Sequence, residues 1–166
     1  MSAEVQYLEN FGRDGLEKPA DLQWLVKEST EPLDVTLLVH CKTFHWLIYW
    51  KAPLANDDPN NPALRVIHLI QEINRDHLTN WGPLTKSVGR STISGGYKFP
   101  LGKLTLQQRK ALEAIAEEHP VQAPDGKYDC KTWIEQVVKK AIDAGIFEED
   151  VVNKALADAY SISNPE

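Results

Sequence analysis

The sequence predicts an α+β fold, an antiparallel sheet with helices packed against it. Two runs in the first half alternate with period two and are rich in β-branched or aromatic residues, the pattern of strands. Two runs in the second half repeat their apolar residues at helical spacing, and one of them opens on a capping box.

Residues 1–19 mix charge with Gly12, Gly15 and Pro19 and hold no sustained period, which predicts an irregular arm. Ala20 opens a short helix in which Leu22, Leu25 and Val26 fall at helical spacing, and Glu31-Pro32 stops it. From Asp34 the pattern turns to β, with Val35, Leu37, Val39 and Cys41 alternating with Thr36, Leu38 and His40. The stretch TFHWLIYW, Thr43 to Trp50, is the second strand. Phe44, Trp46, Ile48 and Trp50 share one of its faces, and His45, Leu47 and Tyr49 share the other. Both faces are mostly apolar, so this strand is expected at the centre of the sheet.

The run KAPLANDDPNNPA, dense in Pro, Asn and Asp, predicts a surface loop over 51–63. A third strand runs from Leu64 to Ile73, a shorter one from Leu84 to Val88, and Gly95-Gly96 marks a turn. Thr105 with Gln108 forms the capping box of a helix that Pro120 ends. After the loop VQAPDGKY a second helix starts near Asp129, with apolar residues at 133, 134, 137, 138, 141 and 142. Gly145 closes it, and Glu148 to Tyr160 reads as a last amphipathic helix. No repeat or low-complexity tract divides the chain, so residues 1–166 are expected to form one domain.

Composition narrows the function classes. Hydrophobic content of 42% and charged content of 25% belong to a globular protein. A net charge of -6 gives no footprint for nucleic acid or an anionic membrane surface. Cys41 and Cys130 lie far apart in a chain without a secretory h-region, which predicts reduced thiols and a cytoplasmic location. No apolar run reaches transmembrane length and no lipidation box is present, so no membrane anchor is expected.

The chemistry-bearing residues are one cysteine and two histidines. In YDCKTWIEQVV, Cys130 stands three positions before Trp133 and four before Ile134, which puts its thiol on the buried stripe at the first turn of its helix. Unpaired N–H groups and the macrodipole favour a thiolate there, while a carboxylate on the N-cap Asp129 opposes it. A nucleophilic cysteine needs a histidine as base and a polar partner to orient that histidine. His45 in the apolar strand and His68 in RVIHLIQEI supply candidates. The competing reading makes all three ordinary core residues, since free cysteine is often buried and a core histidine can be satisfied by one hydrogen bond.

These residues resemble the circularly permuted branch of the papain-like NlpC/P60 superfamily, in particular the lecithin:retinol acyltransferase-like proteins and their small phospholipase/acyltransferase relatives. The matching pieces are His45-Trp46-Leu47-Ile48-Tyr49, Val66-Ile67-His68-Leu69 and Asp129-Cys130-Lys131-Thr132-Trp133-Ile134, in the permuted order. The likeness spans 35–144 and implies a permuted papain-like core with Cys130 as nucleophile, His45 as general base and His68 as orienting partner. The same H-W-x-I-Y and C-x-x-W pair is similar to an uncharacterised single-domain family of filamentous fungi, in which the position of His68 is not reliably histidine. Here Asp129 replaces the family's asparagine, Thr132 stands where its helix start carries histidine, and the family's hydrophobic tail is missing.

The expected activity is therefore cysteine-dependent acyl transfer, hydrolase or acyltransferase, on an amide, ester or thioester. Trp46, Tyr49 and Trp133 would line the substrate cleft, unless they are plain core. The alternative is a papain-like fold of little hydrolytic activity that binds or cyclises a small metabolite. A metal site from His40, Cys41, His45, His68 and His77 is disfavoured, because no C-x-x-C or H-x-x-x-H pair exists. With no phosphate-binding or dinucleotide glycine motif either, no cofactor is expected. The partner is expected to be a small-molecule or acyl substrate.

Overall fold

The computed structural model describes residues 3–54, 61–89 and 93–163. In chain order the strands are β1 (Leu33–Val39), β2 (Trp46–Lys51), β3 (Ala63–Ile67), β4 (Ile70–Gln71), β5 (Leu78–Thr79), β6 (Leu84–Ser87) and β7 (Tyr97–Leu104). The helices are α1 (Leu106–Glu118), α2 (Cys130–Asp143) and α3 (Glu149–Ser163). Five strands form one antiparallel sheet in the order β6-β3-β2-β1-β7, and β4 and β5 make a separate ribbon. The fold is α+β, with β2 at the centre of the sheet as its two apolar faces require.

Trp46, Ile48 and Trp50 of β2 are buried in the same core as Trp133, Ile134, Val137, Val138 and Ala141 of α2. A stripe at helical spacing thus meets a face at strand spacing. Trp46 reaches through this core to α3, where its indole N–H donates to Ser163 Oγ over 2.8 Å and its ring meets Tyr160. On the inward face of α1, Glu113 accepts from Arg65 of β3, and Arg109 donates to the carbonyls of Ser29, Glu31 and Leu104. These pairings satisfy charged groups that burial would otherwise penalise. The capping box is formed, with Thr105 and Gln108 each bonding the other's backbone.

Four local expectations need correction. The helix proposed from Ala20 is a single turn, Gln23–Leu25. Asp21 Oδ1 accepts from both Gln23 N and Thr85 N, and Leu22 N donates to Thr85 O, so this segment covers the open edge of β6 instead of winding on. The second strand starts at Trp46, because Phe44 adopts φ 53° and turns the chain there. The strand expected over Leu64 to Ile73 leaves the sheet after Ile67, and its continuation pairs with β5. Finally, β7 has no counterpart among the sequence-derived elements. Pro100 and Gly102 disguise it, yet both fit an edge strand that is bulged opposite Val35 and Thr36.

The N-terminal arm is irregular but tied down: Leu8 N donates to Val121 O, Ala123 N to Gln6 O and Asn80 N to Phe11 O. Of the loop expected over 51–63, residues 55–60 lie outside the described residues.

Candidate functional site

The β1–β2 hairpin creates the position of His45. His40 N donates to His45 O and Phe44 N to His40 O, each over 2.9 Å, and this closes the turn one residue before Trp46 enters the core. Strand alternation then assigns His45 to the side of the sheet opposite Trp46. At the end of β3 and just beyond it, Ile67 and Leu69 both enter the core, leaving His68 between them for the same opposite side. The structure brings the two rings together. His45 Nε2 lies 2.9 Å from His68 Nδ1, with the ring centroids 5.1 Å apart and the planes 60° to one another.

A third group completes a chain that the sequence did not suggest. Lys86 of β6 stands opposite Leu64 of β3, and its Nζ comes within 3.3 Å of His68 Nε2. Nothing in a short, weakly patterned strand marks this lysine; only the β3–β6 register makes it a neighbour of His68.

Burial, then the Lys86 charge and then His40 push His45 down from 6.5 to about 4. Burial, Lys86 and His45 hold His68 well below its ordinary value. Both imidazoles are therefore neutral near pH 7. Burial also lowers Lys86, and the carboxylate of Glu72 works against that.

Cys130 occupies the first position of α2. Asp129 caps the helix by accepting from Lys131 N and Thr132 N, and Lys131 Nζ returns to the same carboxylate over 2.7 Å. Burial raises the thiol above its ordinary value; the backbone N–H of Trp46 partly offsets this, and Asp129 adds to it. The thiol is thus a neutral S–H resting against the peptide that follows His45. Among the described residues no hydrogen bond joins it to His45, whose Nε2 is committed to His68. The structure pairs the two histidines and sets the cysteine apart, on the helix side of β2.

The three aromatic candidates separate as well. Trp46 and Trp133 are both 0% exposed, which leaves them no surface to offer a substrate. They are core. Tyr49 is half-buried on the other face and helps line a recess of about 660 Å³ with Leu64, Lys51 and Lys98. Leu64, the cross-strand partner of Lys86, is part of its lining.

The remaining histidines have local roles. His40 Nδ1 lies within 3.4 Å of the hairpin groups Lys42 N, Thr43 N and Thr43 Oγ1. His77 Nε2 bonds the carbonyl of Gly12, and His119 Nε2 bonds Gln136 Oε1. No three His, Cys, Asp or Glu side chains gather about one point among the described residues. No helix among them is long and apolar enough to cross a membrane.

Comparison with known protein families, with curated proteins and with solved structures finds no match to this chain. The site has to be read from its own geometry.

Proposed function

We propose that this chain binds a small metabolite and carries out proton transfer on it, as in a cyclisation or isomerisation, with the His45–His68 pair as the reacting centre and little hydrolytic activity. The 2.9 Å hydrogen bond between two half-buried neutral imidazoles carries the reading. A neutral imidazole pair can take a proton at one nitrogen and release one at another, which is the requirement of general acid–base catalysis near neutral pH. His45 Nδ1 is the free end of the pair: no described residue hydrogen-bonds to it, and it is not one of the sealed, unpartnered polar atoms. The likeness to permuted papain-like proteins supports the scaffold, and the recess on the same face of the sheet would hold the apolar part of a ligand.

Cysteine-dependent acyl transfer is the second reading, favoured by one observation. Cys130 stands at a helix N-terminus, its thiol against the peptide N–H adjacent to His45. In this reading Cys130 is the nucleophile, His45 its base and His68 the orienting partner, as the resemblance implies, and the His45 ring would have to leave the face opposite Trp46 to reach the sulfur.

Iodoacetamide labelling followed by intact mass across pH separates the two, with Cys130 mapped in the native chain and in His45→Ala. The metabolite reading expects Cys130 to label no faster than an ordinary buried thiol and His45→Ala to leave that rate unchanged. Fast labelling below the usual thiol range, slowed by His45→Ala in a folded chain, would overturn it in favour of acyl transfer.

A further inference from the structure

Resting on the reading of the histidine pair as the reacting centre, we propose that Lys86 is a positioning residue that fixes the direction of the pair, so that His45 presents an N–H, not a lone pair, to its ligand.

Donor and acceptor counts fix the direction of the pair. A lysine ammonium has three donors and no acceptor, so its approach to His68 Nε2 requires a lone pair on that nitrogen. A neutral imidazole with a lone pair on Nε2 carries its hydrogen on Nδ1, and His68 Nδ1 must then donate to His45 Nε2. His45, accepting at Nε2 and also neutral, carries its own hydrogen on Nδ1. The chain runs one way, from Lys86 through His68 to His45.

The groups facing this chain are consistent with that polarity. Burial is the larger influence on Lys86 and lowers its pKa, while the Glu72 carboxylate opposes that and supports the ammonium form. Burial, then Lys86 and then His40 disfavour an imidazolium at His45, so the pair stays neutral and the tautomers, not the charges, carry the direction.

The ligand class follows. An N–H at His45 Nδ1 recognises an oxygen that accepts, such as a carbonyl, a carboxylate or a developing enolate. When such an oxygen takes the Nδ1 proton, His45 Nε2 takes one from His68 Nδ1, and His68 Nε2 takes one from Lys86. The products are a protonated ligand oxygen, two neutral imidazoles of the opposite tautomer and a neutral amine, with every proton accounted for. The same polarity leaves the resting His45 unable to accept a proton at Nδ1.

Long-range 1H–15N correlation spectra of the 15N-histidine-labelled chain near neutral pH test this without any ligand. Both His45 and His68 are expected as Nδ1–H tautomers, the minor form of free histidine. Lys86→Met is expected to release both toward the Nε2–H form, and Lys86→Arg, which keeps a charged donor, to preserve the native pattern. An Nε2–H tautomer at either histidine in the native chain would overturn the proposal, as would a pattern unmoved by Lys86→Met in a folded protein. A correct pattern together with Cys130-dependent turnover of an acyl ester would leave the direction standing and remove only the metabolite reading.

Discussion

Burying His45 in its neutral form ties stability to pH, and the size of the effect can be worked out. Its pKa is 6.5 when unfolded and about 4 in the fold, so between those values the unfolded chain binds a proton that the native chain does not. The contribution is thus fully present above the unfolded value and is lost as pH falls toward the folded one. Linkage gives a loss of about 2 kcal/mol by about pH 5 and about 3 kcal/mol by about pH 4 for His45 alone. His68 is shifted in the same direction and adds to it.

Urea unfolding of the native chain and of His45→Gln, compared from about pH 7.5 down to about pH 5, isolates this term, because the carboxylates titrate equally in both. Gln keeps hydrogen-bonding capacity toward His68 but cannot charge. The native chain is expected to lose about 2 kcal/mol more than the variant over that interval. Parallel curves would mean that His45 is protonated normally in the fold and that the pair is not held neutral.

Other perturbations have defined signs. Asp129→Ala should cost about 1 kcal/mol through the lost N-cap while lowering the Cys130 thiol pKa, so urea midpoint and alkylation rate move in opposite senses. Trp46→Phe removes the bond to Ser163 and part of a fully buried ring, and urea titration should show a loss of about 2 kcal/mol. Gly12→Ala places a Cβ 2.8 Å from Leu78 O at φ +78°, so thermal unfolding should reveal at least about 1 kcal/mol of destabilisation and a loosened N-terminal arm.

What the sequence displayed was periodicity, and what it concealed was register. β2 and α2 were legible because their apolar residues recur at 2.0 and 3.6 residues and meet in one core. β7 was hidden because Pro100 and Gly102 are breakers in isolation and become tolerable only at an edge strand with a bulge, a property of its place in the sheet. The break after Ile67 was hidden because Ile70 and Gln71 continue the alternation, although they pair with β5 and not with β2. Likewise the histidine pair could be nominated residue by residue, but Lys86 enters only through the pairing of Leu64 with Lys86, a long-range fact that no local pattern encodes. Trp46 and Trp133 were ambiguous because burial of an aromatic in a core and in a cleft look alike in one dimension.

The trio of Lys86, His68 and His45 also bears on why a polar cluster stands where apolar neighbours would serve the fold. Leu38, Val66 and Leu84 on the strands around it are each no more than 2% exposed, so this side of the sheet can be packed with hydrocarbon. Replacing a buried polar network by apolar groups of similar volume is often neutral or stabilising, whereas removing one member leaves partners unsatisfied. If the trio is kept for chemistry, His45→Phe, His68→Leu and Lys86→Met together should unfold at the same or higher urea concentration than the native chain near neutral pH, and the pH dependence below about pH 6.5 should flatten. Lys86→Met alone leaves His68 Nε2 without its donor and should be the less stable of the two variants. A triple variant less stable than the native chain by more than about 2 kcal/mol would instead make the cluster a structural element of the sheet, and its polarity would then need no ligand to explain it.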